Sequence, residues 1–367
     1  MTRKVLLIPT GFLGDIILTS PTLAALKRSP GSVSVSAVCS PSTAEILRRD
    51  RYVDSVLVYD RKGEHQGWKG LKAFAELVKA ERFDVACSFQ MSPRTAILLW
   101  LAGIPKRIGF SGSWVRYFYT TIVRRDGRAH DVLRNLALVE SELDEGTREE
   151  LNRLRAGDES DLSWAGLRAP DVDQEGLSSD VRAIVESRQT LVVLSPGSAW
   201  ETKRWSVEGF RGVAERLIAK GVRVVLIGAK SDESVSAKVA EGLSLINLCG
   251  KTSINEMIAL VDRAQCLVCN DSLALHIGSA TKTPTVAIFC ATSPRFGFGP
   301  WMNDSVVLEK GDLFCKPCRR HGSRGCPTGT HACMTGVSSR EVVCAVDRFL
   351  GEQERGSGSG LLRVIKR

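Results

Sequence analysis

Short apolar runs alternate along the chain with longer stretches whose apolar residues recur at helical spacing. In the first half, each short run leads through a turn into a helical pattern, which predicts strand–helix repeats. The predicted strands there are residues 4–9, 33–38, 55–59 and 84–89, and the predicted helices are 15–28, 43–49, 70–80, 94–101 and 130–139.

The second half repeats the alternation more clearly. Its predicted strands are residues 191–194, 223–227, 244–248, 266–269 and 285–289, and its predicted helices are 206–220, 232–241, 254–261 and 272–280. Such alternation implies parallel sheets covered on both faces. An acidic stretch with Gly and Pro, 158–180, joins the halves. We therefore predict an α/β fold of two Rossmann-like domains, 1–180 and 181–350, facing each other across a cleft with ligands beyond the carboxyl ends of the strands.

Composition narrows the class of protein. The chain has 367 residues, 43% of them hydrophobic and 25% charged, which supplies apolar material for two cores and excludes general disorder. No apolar run reaches the roughly 18 residues of a membrane-spanning helix. The N-terminus is interrupted by Pro9 and Gly11 and is interpreted as a strand and turn, not a signal peptide. Residues 351–367 form a flexible basic tail, either a weak membrane contact or a disordered end.

The charge is basic and uneven. Fifty Lys and Arg against 41 Asp and Glu give a net charge of +9, which favours an anionic partner. Residues 94–134 hold eight basic and two acidic side chains, whereas 140–180 hold thirteen acidic and four basic. The basic stretch is either a solvated face or a docking surface for an anion. It contains no recognition-helix or base-stacking motif, so nucleic acid is not the expected partner.

Polar motifs follow the predicted strands. Asp15 comes after Gly11 and Gly14 behind the first strand, and is either a helix N-cap or a general base. No G-x-G-x-x-G motif is present there, which argues against a dinucleotide oxidoreductase. Three further motifs lie in the second half: residues 195–205 with Lys203 and Arg204, suited to a phosphate; 228–233, either a ribose contact or a helix cap; and 269–276, where a helix N-terminus follows Asp271.

Together these segments resemble the ADP-heptose:lipopolysaccharide heptosyltransferases, glycosyltransferase family 9. The matching pieces are 4–21 with G-D-I-I-L-T-S-P, 130–134 with H-D-V-L-R, 196–205 with P-G-S-x-x-x-T-K-R-W, 226–233 with L-I-G-x-x-x-D-E, 270–276 with N-D-S-x-x-x-H, Pro284, and S-P at 293–294. The resemblance implies a GT-B fold with the acceptor mainly on the first domain and the nucleotide sugar mainly on the second. Leu273 departs from the Gly that family members often carry.

The resemblance also implies roles for individual residues. Asp15 matches the proposed catalytic base and Lys203 the phosphate-binding, catalytic lysine. The donor-binding residues expected are Gly14, Ser198, Thr202, Arg204, Glu233, Asp271, Ser272 and His276, and the acceptor-binding residues are Arg107, Arg124 and His130. A histidine at the position of His276, taken alone, is more often a packed core residue than a ligand contact.

The implied function is an inverting transfer of heptose from ADP-heptose to a hydroxyl of a lipopolysaccharide inner-core acceptor. No catalytic metal is expected, because fixed cations would offset the diphosphate charge. The expected partners are an ADP-sugar and an anionic glycolipid, and the expected location is the cytoplasm, in peripheral contact with the cytoplasmic face of the inner membrane. The alternatives are a related transferase with another donor or acceptor, and a non-catalytic sugar-nucleotide or lipopolysaccharide binding protein.

Eleven cysteines divide into two groups. Cys39, Cys87, Cys249, Cys266, Cys269 and Cys290 lie in or beside predicted strands and are expected to be buried, and Cys344 falls on a late helix. Cys315, Cys318, Cys326 and Cys333 cluster with a C-x2-C pair. They are open to four interpretations: a structural zinc site, reduced thiols, a disulfide, or an iron–sulfur cluster.

Overall fold

The computed structural model describes residues 2–29, 31–112 and 114–351, and the chain divides into two compact units, Met1–Asp171 and Val172–Arg367. The division falls before residue 180 because the joining stretch is already bonded into the second unit. Asp173 exchanges two backbone-to-amide hydrogen bonds of 2.9 Å with Asn255, and the Ser178 amide donates to Glu256. The predicted tail lies outside the described residues, apart from Gly351.

The first unit contains one parallel sheet in the order β3-β2-β1-β4-β5-β6, which is the Rossmann order. Its strands are β1 (Arg3–Ile8), β2 (Val33–Cys39), β3 (Ser55–Val58), β4 (Val85–Ser88), β5 (Lys106–Phe110) and β6 (Thr121–Val123). Its helices are α1 (Leu13–Arg28), α2 (Ala44–Arg48), α3 (Gly67–Ala80), α4 (Pro93–Leu101), α5 (Asp131–Val139) and α6 (Glu145–Arg155). The hydrophobic pattern did not indicate β5 and β6, since β5 opens with Lys106-Arg107 and β6 has only three residues.

Helix α1 is covered on all sides, and residues 16–26 are buried without interruption. Pro21 lies inside this helix and cannot donate to the carbonyl four residues before it. The hydroxyl of Ser20 donates to that carbonyl, Ile17 O, at 2.7 Å, so the helix continues. On the other side of the sheet, Phe74 of α3 and Leu98 of α4 pack with strand residues such as Leu6 in one buried cluster.

The second unit repeats the same architecture, with the order β12-β11-β10-β7-β8-β9 and all pairs parallel. Its strands are β7 (Leu191–Ser195), β8 (Arg223–Leu226), β9 (Ile246–Asn247), β10 (Cys266–Asn270), β11 (Thr285–Phe289) and β12 (Ser305–Glu309). Its helices are α7 (Ser179–Glu186), α8 (Val207–Ala219), α9 (Glu233–Ala240), α10 (Ile254–Arg263), α11 (Leu273–Thr281), α12 (Ala332–Thr335) and α13 (Ser339–Leu350). The prediction of two parallel α/β sheets is confirmed.

Trp205 belongs to the core of this unit. It is 1% exposed, packs edge-on against Phe210 of α8, and donates its indole N–H to the Val337 carbonyl at 3.0 Å. The six scattered cysteines are also buried, as predicted. In the described part of the chain, no helix is long and apolar enough to cross a membrane.

Each sheet has one switch point, where the chain leaves a strand toward one side and later returns to a strand on the other. In the first unit it lies between β1 and β4, and in the second between β7 and β10. Ligands of such sheets bind at the carboxyl ends of the strands at this point. Asp15 follows β1, Lys203 follows β7 and Asp271 follows β10, so the topology places these predicted residues beside the switch points of their own sheets.

Candidate active site

An ion pair lies at the switch point of the second unit. The Lys203 ammonium is 2.8 Å from Oδ2 of Asp271, and the two side chains are only 14% and 6% exposed. Thr292 lies in the loop after β11, and its hydroxyl donates to the same oxygen at 2.7 Å. The Ser198 hydroxyl donates to the Asp271 backbone carbonyl at 3.1 Å. Residues from three neighbouring strand ends therefore fix one lysine.

Asn270 organises the loop that carries this lysine. Its side chain is fully buried, accepts from the Trp205 amide at 2.9 Å, and donates to the carbonyls of Pro196 and Gly197. An Asn supplies both donors and an acceptor, which an apolar residue at the end of β10 could not. The loop from β7 to α8 is thereby bonded to the end of β10.

Arg204 and Asp232 form a second charged pair beside the first. The Arg204 guanidinium donates through Nε to Ser198 O at 2.8 Å and approaches Asp232 Oδ1 at 3.6 Å. Burial raises the pKa of the Asp232 carboxyl, while the Ala229 N–H and Arg204 oppose that rise. A Cβ on Gly197 would come within 2.2 Å of Asp232 Cγ, so this position requires glycine.

The N-cap side chain of α11 makes no capping hydrogen bond. Ser272 is the N-cap in extended conformation, yet its hydroxyl caps no amide of α11, and this buried oxygen has no hydrogen-bond partner within the described residues. First-turn amides of a helix without a cap are suited to an anion. His276 is buried one turn into the same helix, as a packed histidine would be.

The resemblance predicts that Glu233 is an acidic ribose contact. Its side chain is exposed at the start of α9 and packs over Gly250, where an added Cβ would come within 2.4 Å of Glu233 Oε1. Asp232 is the buried acid of this segment. The role of Glu233 stays a prediction.

In the first unit, Asp15 lies in the first turn of α1, one residue after Gly14. The Thr10 hydroxyl, in the loop after β1, donates to Asp15 Oδ2 at 2.5 Å. Gln90, in the loop after β4, donates to the Pro9 carbonyl at 2.5 Å and ties the two strand ends together. The N-cap residue of α1 is Phe12, so Asp15 does not occupy the N-cap position.

A basic loop lies near Asp15. Residues 124–128 line a cavity, with Arg124 exposed and Arg125 half-buried. Arg125 pairs with Asp131 at 2.8 Å, and burial lowers its pKa, partly offset by the negative charges of Asp131 and Asp15. The buried Arg134 donates to the carbonyls of residues 126 and 127 and holds the loop in place. His130 is the N-cap of α5 and accepts from the Val132 amide at 3.3 Å.

The side chain of Arg107 is hydrogen-bonded to backbone carbonyls on either side of β5. Its guanidinium donates to the carbonyls of Phe118 at 2.7 Å and Ile104 at 2.5 Å. The neighbouring Lys106 lies 2.7 Å from the fully buried carboxylate of Glu142. These contacts stabilise β5 and the turns around it, so they argue against the acceptor contact predicted for Arg107.

The four clustered cysteines lie in one irregular segment, residues 315–333. Within the described ranges, no three Cys, His, Asp or Glu side chains form a group that could hold a metal ion. Burial and then the charge of Cys315 raise the pKa of Cys318, whereas hydrogen bonds from Thr328 and from backbone amides including that of His331 lower the pKa of Cys326 to about 6. The zinc site stays a prediction.

Two residues of the site escaped the sequence analysis. Thr292 precedes the S-P motif and carries no signal of its own. Asp232 stands in the 228–233 motif, but the pattern did not distinguish it from Glu233. Trp205, the last residue of the 195–205 motif, is a core residue and does not belong to the site. Trp205 directly precedes the N-cap Ser206 and Phe210 is the fourth residue of α8, a spacing typical of a hydrophobic staple that could have shown this.

Comparison with known proteins agrees with the geometry. The family model of glycosyltransferase family 9 (heptosyltransferase) matches residues 71–327. Lipopolysaccharide heptosyltransferase 3 of Escherichia coli is 24% identical over 362 residues, which cover 94% of this chain and 99% of that protein. Lipopolysaccharide heptosyltransferase 2 of Salmonella typhimurium is 25% identical over 311 residues, covering 80% and 84%.

Solved structures show the same fold. A family 9 glycosyl transferase from Veillonella parvula is similar with a TM-score of 0.81 and 24% identity, covering 96% of this chain and 98% of that one. The E. coli ADP-heptose lipopolysaccharide heptosyltransferase II gives 0.74 and 21%, covering 95% and 99%. E. coli heptosyltransferase WaaC with ADP gives 0.65 and 19%, again covering 95% and 99%. The predicted GT-B fold class is confirmed.

Proposed function

Because the chain belongs to glycosyltransferase family 9 and is a glycosyltransferase, we propose that it moves a heptose from ADP-heptose to a hydroxyl of a lipopolysaccharide inner-core acceptor, with inversion at the anomeric carbon. The neighbour solved with ADP supports the nucleotide, and the relatives named lipopolysaccharide heptosyltransferases support the sugar and the acceptor.

The observation that carries the proposal is the buried Lys203–Asp271 pair at the switch point, beside the uncapped end of α11. A departing diphosphate gains negative charge as the sugar leaves. Lys203, Arg204 and the amides after Ser272 would offset that charge from fixed positions, which costs little reorganisation during the reaction. Asp271 holds the ammonium of Lys203 in place, and the Thr292 hydroxyl orients the carboxylate of Asp271.

Asp15 is the proposed general base. Inversion requires an acceptor oxygen to attack the anomeric carbon from the face opposite to the ADP. A carboxylate that takes the hydroxyl proton makes that oxygen a better nucleophile. The hydrogen bond from Thr10 orients one carboxylate oxygen of Asp15, and the positive charge of Arg125 interacts with the same carboxylate.

The basic loop 124–128 is the proposed acceptor-binding element. An inner-core glycolipid carries carboxylates, and it lies in an anionic membrane face, so exposed Arg124 and half-buried Arg125 would attract both. We place the enzyme in peripheral contact with the cytoplasmic face of the inner membrane on this reasoning.

Catalysis through fixed cations needs no metal ion in this proposal. Asp171 and Asp173, the D-x-D of the chain, are hydrogen-bonded through their backbone in the stretch that joins the halves: the Asp171 carbonyl accepts from Arg49, and the Asp173 N–H donates to Asn255 Oδ1. Transfer should therefore proceed undiminished in excess EDTA, and a requirement for added Mg²⁺ or Mn²⁺ would contradict this part of the proposal.

A donor screen tests the function directly. Purified enzyme is incubated with ADP-heptose, UDP-sugars or GDP-sugars, with and without a core-oligosaccharide acceptor, and nucleotide release is measured. We expect release from ADP-heptose alone among the donors, dependent on acceptor, and a product of opposite anomeric configuration by NMR.

Three results would contradict parts of the proposal separately. A preference for UDP- or GDP-sugars would change the donor, and transfer to a different glycan would change the acceptor. Tight ADP-heptose binding without any turnover would indicate a binding protein. The Lys203→Ala variant is the control for donor-dependent release at this site.

A further inference from the structure

The cysteine-rich segment, residues 315–333, is hydrogen-bonded to the loop that carries Lys203. The Ser323 amide donates to the Thr202 hydroxyl at 2.8 Å, and that hydroxyl donates back to the Ser323 carbonyl at 3.1 Å. The Thr202 amide donates to the same carbonyl at 3.2 Å. Thr202 is 3% exposed and directly precedes Lys203. The hydroxyl and the backbone amide of Thr202 are therefore both hydrogen-bonded to Ser323.

Further backbone hydrogen bonds link the chain that follows β12 to the lysine loop, which is the loop between β7 and α8. The Cys318 amide donates to the Ala291 carbonyl at 2.9 Å, and the Ala291 amide donates to the Thr202 carbonyl at 3.1 Å. Beyond the loop, the Ser206 amide donates to the Met334 carbonyl at 3.2 Å. The segment that follows β12 thus contacts the lysine loop before and after Lys203.

Gly322 lies against the side chain of Lys203. It is buried with a φ of +79°, and an added Cβ would meet Trp200 Cβ at 3.0 Å, Lys203 Cγ at 3.1 Å and Thr202 Oγ1 at 3.3 Å. Both the backbone conformation and the space require glycine. A side chain at this position would therefore press on the aliphatic part of Lys203.

We infer that Gly322 and Ser323 are positioning residues for Lys203, and that the cysteine-rich segment sets the geometry of the donor-phosphate site. The inference rests on the proposed donor role of Lys203. The ammonium of Lys203 contacts Asp271, which accepts a hydrogen bond from Thr292, and the stem of Lys203 lies against Gly322. Ser323 holds Thr202, the residue before the lysine. Gly322 and Ser323 belong to a segment more than one hundred residues further along the chain.

Gly322→Ala is the direct test, with Gly325→Ala as the matched control. Gly325 lies in the same segment, but an added Cβ there meets no atom within 4 Å, and its φ is outside the left-handed region. We expect Gly322→Ala to raise the ADP dissociation constant and the donor KM about 10-fold, since small misplacements of a binding group cost 10- to 100-fold. The acceptor KM and the values of Gly325→Ala should stay near wild type.

Thr202→Val and Thr202→Ser supply a second test that does not depend on the glycine variant folding. Val keeps the shape and removes the hydroxyl, whereas Ser keeps the hydroxyl. We expect the donor KM to rise in Thr202→Val and to return toward wild type in Thr202→Ser. Equal loss in both would contradict the inference.

A double-mutant cycle separates positioning from general damage. If Gly322 acts through Lys203, Gly322→Ala should add little to the ADP-binding defect of Lys203→Ala, because both remove the same interaction. Full additivity of the two effects would overturn the inference.

Amide hydrogen exchange distinguishes failure of the inference from failure of the proposed function. Protection of the Thr202 amide should fall in Gly322→Ala and persist in Gly325→Ala, whatever the substrate is. Unchanged protection would overturn the inference by itself. If protection of the Thr202 amide falls in Gly322→Ala but the wild-type protein does not bind ADP, the inference that Gly322 positions the lysine loop stands and the proposed donor is rejected.

Discussion

The ammonium of Lys203 lies 2.8 Å from Oδ2 of Asp271, and both side chains are largely shielded from solvent. The pair is thus a structural contact as well as the proposed phosphate site. Removing one partner of such a pair leaves the other charge buried without compensation, which is destabilising, whereas removing both charges does not. Stability and activity can therefore be separated at these two positions.

We predict that Lys203→Ala lowers kcat/KM by about 10²–10³, the usual effect of losing one preorganised charge-stabilising group. It should also lower the melting temperature, because Asp271 loses its cation. The double variant Lys203→Ala/Asp271→Asn should recover the melting temperature and none of the activity. Thermal denaturation and nucleotide release measure the two effects. Recovery of activity in the double variant would contradict a direct role for Lys203.

Asp15→Asn tests the base. We expect transfer to fall by about 10²–10⁴, the usual contribution of a general base, with ADP-heptose binding retained. Thr10→Val removes the hydrogen bond to Asp15 Oδ2 and should cause a smaller loss, because the carboxylate stays in place. Steady-state kinetics and calorimetric donor binding give the comparison. Near-normal turnover of a folded Asp15→Asn protein would leave Asp15 with only a role at the start of α1.

Arg124 and Arg107 should respond differently, although both lie in the basic stretch. Arg124→Gln is expected to raise the acceptor KM several-fold and leave the donor KM unchanged. The wild-type acceptor KM should also rise with salt, because exposed charges are screened over about 10 Å at 0.1 M.

Arg107→Gln should instead lower stability by about 1–3 kcal/mol, since the carbonyls of Ile104 and Phe118 lose their donors. Its acceptor KM should stay near wild type. An acceptor KM that does not change with salt, or that rises equally in both variants, would indicate that the basic stretch 94–134 is a solvated face and not a docking surface.

Asp232→Asn should change the pH dependence of stability. Burial raises the folded-state pKa of this carboxyl above its ordinary value of 3.8, so the native state binds the proton more tightly than the unfolded chain. Wild-type stability from this group is present below about pH 4 and is lost as the pH rises through the folded pKa. The unfolding free energy of Asp232→Asn relative to wild type should therefore increase from pH 4 to pH 7. Urea unfolding at several pH values measures it, and a difference independent of pH would contradict the assignment.

Metal analysis decides between the interpretations of the cysteine cluster. If Cys315, Cys318, Cys326 and Cys333 hold a structural zinc, protein purified without chelator should contain about one metal per chain. Cys315→Ser or Cys326→Ser should release the metal and lower stability, with little effect on chemistry in the folded fraction. Cys344→Ser, on α13 outside the cluster, is the control. Absence of zinc and iron from wild-type protein would reject the metal site.

Local patterns in the sequence predicted much of the architecture. Short apolar runs followed by helical periodicity predict parallel sheets, because each strand and helix is encoded by neighbouring residues. The same logic located Asp15, Lys203 and Asp271, since each lies between the end of a buried strand and the end of the first turn of the next helix, near the carboxyl edge of its sheet. Strand β5 was missed because Lys106 and Arg107 mask its pattern, and the pairing of Lys106 with buried Glu142 appears only in the folded chain.

By itself, then, the sequence determined the two α/β sheets, the strand ends that carry the polar motifs and the resemblance to a transferase family. Tertiary structure decided which strand ends are neighbours, that Arg107 serves backbone carbonyls, that Trp205 is core, and that Gly322 and Ser323 contact the lysine loop. The physical reason is the range of the interactions. Periodicity reports contacts within one element, whereas Ser323 meets Thr202 across 121 residues only after β7, β10 and β11 have paired and the segment beyond β12 has packed against them.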